Sequence, residues 1–158
     1  MVKYNDVGIV DVTFGKNVTV RRPVNLYGCT IGNDCFIGPF VEIQRNVIIG
    51  ERCRIQSHGF ICELVSIGDD CFIAHGVMFV NDLFRNGGPA RERPELWRPT
   101  NIGNNVCIGS NATILPVSIC DDVVVGAGAV VTKDISAPGI YMGNPARKSA
   151  SSRRAPPT

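Results

Sequence analysis

The chain has 158 residues, 44% of them apolar and 19% charged, a balance that excludes an intrinsically disordered protein and supplies core for one domain. Sixteen Lys and Arg stand against fourteen Asp and Glu, and four of the positives (Arg147, Lys148, Arg153, Arg154) fall in the last dozen residues, so the body carries 12 − 14 = −2 and offers no basic face to nucleic acid. The longest apolar run, Val123 to Val131, is nine residues, half a membrane span, and the opening MVKYNDVGIV has no apolar signal core, so a cytoplasmic location is expected.

From the N-terminus, Phe14, Val20 and Leu26 begin an aliphatic spacing that becomes regular at Ile31. Ile37, Ile43, Ile49, Ile55, Ile61, Ile67, Ile73 and Phe79 then follow at a strict period of six. Neither an α-helix at 3.6 nor a lone strand at 2 gives that period. A compact residue stands two positions before each peg (Cys29, Cys35, Val41, Val47, Cys53, Gly59, Val65, Cys71, Val77), and Gly followed by Asn or Asp is frequent after it. The pattern predicts a short strand and a corner every six residues, three strands closing an 18-residue triangular coil, with coils stacked about 4.8 Å apart. Peg and compact residue point inward, and Gly and Asn are expected to turn the corner because they tolerate positive φ. The fold class is all-β, a left-handed parallel β-helix, with no helix predicted. Four of the seven cysteines occupy the inward compact slot and no C-x-x-C occurs, so they read as structural thiols rather than disulfide or metal ligands.

The next peg after Phe79 is due at 85 but arrives at Ile102, so 17 residues are inserted, and the loop at 80–101 carries three prolines, a Gly-Gly pair, four arginines and the only tryptophan. Such excursions from a solenoid often form its binding face. At the 18-residue offset Asn81 stands above Glu63 and Glu63 above Arg45, an ion pair in the plain reading. His75 stands above Ser57, with His58 beside it, so the two histidines share one corner while Glu63, Asn81 and Asp82 share the next. Pegs resume at Ile102, Ile108 and Ile114 and, after a five-residue step at Leu115-Pro116, at Ile119, Val125 and Val131. The glycines of GAGAVV are not a dinucleotide fingerprint, since the spacing is wrong and no helix follows. The domain is expected over 1–147, and residues 148–158, rich in Ser, Pro and Arg without pegs, read as a flexible tail.

The repeats, with IGSNATILP, VVGAGAVVTKDI and GNPAR, resemble those of the hexapeptide-repeat acyltransferases from about residue 12 to 147. More narrowly, VNLYGC, FVEIQRNV, SHGFICE, AHGVMFVNDLF, GGPA and LWRPT resemble the N-acyltransferases of nucleotide-linked 3-amino-3,6-dideoxyhexoses. The resemblance implies a homotrimer with sites in the grooves between prisms, acetyl-CoA as acyl donor, and a dTDP-linked amino sugar as acceptor for surface polysaccharides. It places CoA along the C-terminal coils, with Gly126 and Ala127 beside the pantetheine arm and Lys133 and Arg147 as candidates for its phosphates. Trp97 and Arg98 could meet the nucleotide, although Trp97 could equally pin the loop to the wall, and Glu63 stands as a substrate-binding residue. His58 or His75 would take the amine's surplus proton, and Asn81 and Asp82 would hold the amine or a neighbouring hydroxyl. Proton transfer to the departing thiolate, without any enzymic base, is the other route.

The departures matter as much. The galactoside and maltose O-acetyltransferases of this fold carry a histidine base in the equivalent loop, whereas residues 80–100 here have no histidine. An alcohol must lose its proton as it attacks, but a sugar amine of pKa about 8 is partly neutral already, so the loop points to nitrogen as acceptor. A γ-type carbonic anhydrase needs three zinc-binding histidines, and His58 and His75 are the only two in the chain, so no metal is expected. A UDP-linked 3-amino uronate as acceptor and a non-catalytic trimeric binding module are the remaining alternatives.

Overall fold

The structure, a computed structural model, describes residues 1–2, 7–91 and 93–149. Within them the six-residue period becomes two- to four-residue strands laid in three walls. The first wall holds seven strands, from Ile9–Val10 through Phe60–Ile61 and Met78–Phe79 to Val130–Val131. The second holds six, from Thr13–Phe14 to Ser118–Ile119, and the third eight, from Thr19–Val20 to Arg147–Lys148. The chain visits the walls in rotation, so every strand before Arg147–Lys148 pairs in parallel with its equivalent one coil away: Phe60 lies opposite Glu42 on one side and Met78 on the other. This is the left-handed parallel β-helix that the period predicts.

The pegs form the core. Leu26, the eight peg isoleucines from Ile31 to Ile73, and Phe79 are buried, as are Ile102, Ile108, Ile114, Val125 and Val131. Each such side chain is worth about 1.5–3 kcal/mol when fully removed from water. A single coil cannot exclude water from its own pegs, so that gain accrues only as coils stack. All seven cysteines are free thiols. Cys35, Cys53 and Cys71 donate their S–H to the carbonyls of Gly50, Gly68 and Gly103 at 3.1, 3.1 and 3.2 Å, a column of bonds from coil to coil. Burial pushes the Cys29 thiol up to about 11 and that of Cys62 to about 12.

The glycine after the peg plays a different part from the expected one. The left-handed residue stands three positions past the peg: Asp34, Asn46, Asp70, Asn105, Asn111 and Asp122 have φ between 54 and 61°. Gly32 and Gly50 are there for space instead. A Cβ on Gly32 would lie 2.5 Å from the carbonyl oxygen of Gly50, and one on Gly50 2.7 Å from the carbonyl carbon of Gly68. The Asn or Asp two positions past the peg reaches the neighbouring coil. Asp69 Oδ1 accepts from the Glu51 amide at 2.8 Å, Asn104 Oδ1 from the Asp69 amide at 2.8 Å, and Asp121 Oδ1 from the Asn104 amide at 2.7 Å. Along the same corner Arg52 pairs with Asp70 at 2.7 Å and Glu51 at 2.9 Å.

The insertion leaves this lattice undisturbed. Val65, Ser66 and Ile67 pair with Thr100, Asn101 and Ile102, as if residues 83–99 were absent. Among the described residues the loop's 3₁₀ turn Pro94–Leu96 is the only helical element, and none is long and apolar enough to cross a membrane. At the C-terminus the order runs past the expected boundary at 147. Arg147–Lys148 folds back antiparallel, with Lys148 opposite Tyr141 and Arg147 opposite Met142, and the Ser149 amide donates to the Ile140 carbonyl at 2.8 Å. Residues 150–158 of the expected tail lie outside the described residues.

Candidate active site

Two edges of the first wall carry the residues singled out by sequence. One edge, where the chain passes from the third wall to the first, stacks Arg22–Pro23, Pro39–Phe40, Ser57–His58, His75–Gly76, Ser110–Asn111 and Ala127–Gly128 in successive coils. Backbone bonds fix that stack: the amides of His58, Gly76, Asn111 and Gly128 donate to the carbonyls of Pro39, Ser57, His75 and Ser110 at 2.8–3.2 Å. The expected neighbours meet. Ser57 Oγ lies 2.8 Å from His75 Nδ1, and the His58 ring stacks on Phe40 with centroids 4.9 Å apart. Both histidines are exposed. If His75 Nδ1–H donates to Ser57, its Nε2 is left as an outward-facing acceptor, the form a proton acceptor requires.

The other edge, from the first wall to the second, carries Glu63 and the root of the loop. Asn81 Nδ2 donates to the Glu63 carbonyl at 3.2 Å and the Asn81 carbonyl accepts from the Arg98 amide at 2.9 Å, so the loop is pinned where it leaves and where it returns. Asp82 binds the loop to itself: Oδ1 accepts from the Phe84 amide at 2.9 Å and Oδ2 from the Ala90 amide at 2.6 Å. Ala90 is buried while most of the loop around it is exposed. Trp97 is half-buried and Arg98 exposed. The expected Glu63–Arg45 pair does not form. The guanidinium of Arg45 lies instead over the Tyr27 ring at 5.9 Å, and among the described residues the ion pairs gather on Arg52. In place of that pair stands a network the sequence reading missed. Glu42 accepts from Asn25 Nδ2 at 3.1 Å and Gln44 Nε2 at 2.9 Å, while Gln44 Oε1 accepts from the Glu63 amide at 3.3 Å. Burial, and the carboxylates of Glu42 and Glu63, push the Tyr27 phenol up. Within one chain the first wall separates the histidine edge from the loop root.

At the C-terminal end Lys133 and Arg147 line one cleft of about 280 Å³ with Val131, Ile135, Tyr141 and Lys148. Lys148, read from sequence as tail, is therefore a third cation beside the two candidates. Gly126 and Ala127 stand on the histidine edge, but the Gly126 amide already donates to the Tyr141 carbonyl at 2.7 Å. A Cβ on Gly126 would lie 3.0 Å from that of Met142. Close packing of the last coil explains this glycine, and Ala127 remains exposed. Among the described residues no cluster of His, Cys, Asp or Glu is arranged to hold a metal ion.

Residues 28–62 match the bacterial transferase hexapeptide family (six repeats), and residues 99–133 match the hexapeptide repeat of succinyl-transferase. Among solved structures, a point mutant of AntD, an N-acyltransferase from Bacillus cereus in complex with dTDP and coenzyme A, superposes with a TM-score of 0.78 at 25% identity, covering 90% of this chain and 84% of that one. Among curated proteins, the galactoside O-acetyltransferase of Escherichia coli K12 is 35% identical over 128 residues, 75% of this chain and 61% of its own length. The bifunctional protein GlmU of Dichelobacter nodosus is 28% identical over 150 residues, 85% of this chain. The chain spans 30% of the GlmU length and 61% of the galactoside enzyme's.

Proposed function

We propose that this left-handed β-helix, whose residues 28–62 and 99–133 match hexapeptide-repeat transferase families, is a CoA-dependent N-acyltransferase. In this reading it moves an acetyl group from acetyl-CoA to the C3 amine of a dTDP-linked 3-amino-3,6-dideoxyhexose, a sugar destined for surface polysaccharide. The observation that carries the reading is the likeness, over 90% of the chain, to an N-acyltransferase holding both dTDP and coenzyme A. The galactoside O-acetyltransferase is the more similar in sequence, and the loop argues against following it to an alcohol acceptor. Residues 80–101 contain no histidine, and their one carboxylate near the root, Asp82, has both oxygens engaged by loop amides.

The amine nitrogen attacks the thioester carbonyl, the C–N bond forms as the C–S bond breaks, and the surplus proton passes to a base or to the departing thiolate. His75 Nε2 is the base this geometry favours, because Ser57 can hold the Nδ1–H tautomer. His58 lies one coil below on the same edge. Asn81 keeps its side-chain oxygen for the acceptor, Glu63 stands beneath it, and Asp82 shapes the loop that carries Trp97 and Arg98. Lys133, Arg147 and Lys148 offer three cations to the CoA phosphates in a cleft they share with Asp134, one oxygen of which accepts from the Ser118 amide at 2.8 Å. Because one wall lies between the histidines and the loop root, we place a complete site between two subunits of a trimer. Thiol release across dTDP- and UDP-linked amino sugars, galactosides and serine tests the reading. Turnover with a dTDP-linked 3-amino sugar is expected, and turnover with alcohols alone refutes it.

A further inference from the structure

The histidine edge continues toward the N-terminus past His58, and there, as at Arg52 and Leu64 on the other two edges, bulky residues take left-handed corners. Most left-handed corners are Asn, Asp or Gly, but Phe40 adopts φ 60° and His58, directly above it, φ 62°. A bulky side chain in that conformation is uncommon and clusters at functional sites. Phe40 is also 57% exposed, its ring laid out on the corner and backed by His58 at 4.9 Å and 28° between planes. One coil lower the Pro23 carbonyl accepts from the Phe40 amide at 2.6 Å. Beneath it opens a cleft of about 230 Å³ lined by Arg22, Pro23, Val24 and Ile9 among others.

The positions along this edge have a spacing that fits one kind of ligand. Phe40 lies two coils from His75, about 10 Å at about 4.8 Å per coil, and Arg22 lies one coil further. In a sugar nucleotide, about a dozen covalent bonds of about 1.5 Å each separate a sugar amine from the nucleobase, a span on the order of 10–15 Å in a bent chain. A planar heteroaromatic ring stacks on an aromatic face whatever its sequence of ring atoms, and a guanidinium supplies donors to ring carbonyl oxygens. We propose that Phe40, backed by His58, is the stacking platform for the acceptor's nucleobase, and that Arg22 binds the carbonyl edge of a pyrimidine-dione there. This rests on the acyltransferase reading, with the reacting amine at His75.

Calorimetric titration of the full chain with dTDP alone tests it, alongside titration with CoA. Phe40→Leu, which keeps apolar bulk and removes the π-face, is expected to weaken dTDP about 5- to 100-fold and to leave CoA binding unchanged. Phe40→Trp is expected to bind dTDP within about threefold of the parent, and Arg22→Gln to weaken it about tenfold. In the parent complex the thymine methyl proton moves upfield by ring current, and in Phe40→Leu that shift disappears. If Phe40→Leu binds dTDP with unchanged affinity and an unshifted methyl in both proteins, the platform is refuted while the acyltransferase reading stands on parent binding and thiol release. If Phe40→Leu falls to a smaller oligomer by light scattering, the ring is covered by a second copy and the platform is refuted. If the parent binds no dTDP and releases no thiol, both readings fall together.

Discussion

Replacing Asp82 with alanine removes both hydrogen bonds that close the inserted loop on itself. The two amides it would abandon are not equivalent. Phe84 is 59% exposed, so its N–H can turn to water, whereas Ala90 is 1% exposed and its N–H would be stranded. A hydrogen bond to a charged group contributes about 1.5–3 kcal/mol, and an unsatisfied buried donor costs about 1–3 kcal/mol. Taking the Ala90 bond as dominant, the loop's closed form should lose about 2–4 kcal/mol, a factor of roughly 30–700 in its opening equilibrium. The prism should scarcely notice, because Thr100–Ile102 pairs with Val65–Ile67 independently of the loop. Hydrogen exchange resolved at single amides reads both parts. The Ala90 amide should exchange faster by that factor, those of Ile61 and Ile73 should not change, and kcat should fall with the loop. Asp82→Asn, which keeps one acceptor oxygen, should fall between. Unchanged exchange at Ala90 would refute the anchor, and a collapse of the global melting temperature would refute the loop's independence.

Other consequences can be checked separately. Gly50→Ala drives a Cβ to 2.7 Å from the Gly68 carbonyl carbon, and such overpacking should cost about 1–3 kcal/mol in the denaturant midpoint. Thr100 is buried and, among the described residues, its hydroxyl has no partner, so Thr100→Val should raise stability by about 1 kcal/mol. Unfolded thiols ionise near 9, whereas folded Cys29 and Cys62 hold their protons to about 11 and 12. The unfolded state therefore binds fewer protons in that window, stability should fall as pH rises from 9 towards 12, and the Cys29→Ala/Cys62→Ala chain should show a shallower fall. Co-expressing a His58→Ala/His75→Ala chain with an Asn81→Ala/Asp82→Ala chain should restore activity in mixed trimers; recovery of nothing after verified subunit exchange would refute a site shared between subunits.

The prism could be read from sequence because its one rule, an inward aliphatic residue every sixth position, is local, periodic and enforced by burial. The same arithmetic places His75 on Ser57 and Asn81 on Glu63, and both contacts are found. It could not give the reason for Gly32 or Gly50. Chain sequence records that a small residue is required, and only the stacked backbone shows that the requirement is clearance rather than positive φ. Side-chain direction was equally out of reach. Arg45 and Glu63 share a column, yet the guanidinium turns to the face of the Tyr27 ring instead of the carboxylate. The roles of Ala90 and Lys148 were hidden because both lie where the period is broken, one inside the loop and one beyond the last peg.

The re-entry of the chain at Thr100, in the register that Leu83 would have taken without the insertion, has an evolutionary meaning. A strand pair that closes identically with or without an excursion makes the excursion's length and composition nearly free parameters. The entropy of closing a flexible segment grows only with the logarithm of its length, about 0.6 kcal/mol for each doubling. Insertions at this junction are therefore screened almost entirely for what they touch, and hardly at all for what they do to the scaffold. A prism of this kind can take on a new contact surface by rewriting a single contiguous stretch, its stacked coils left as they were.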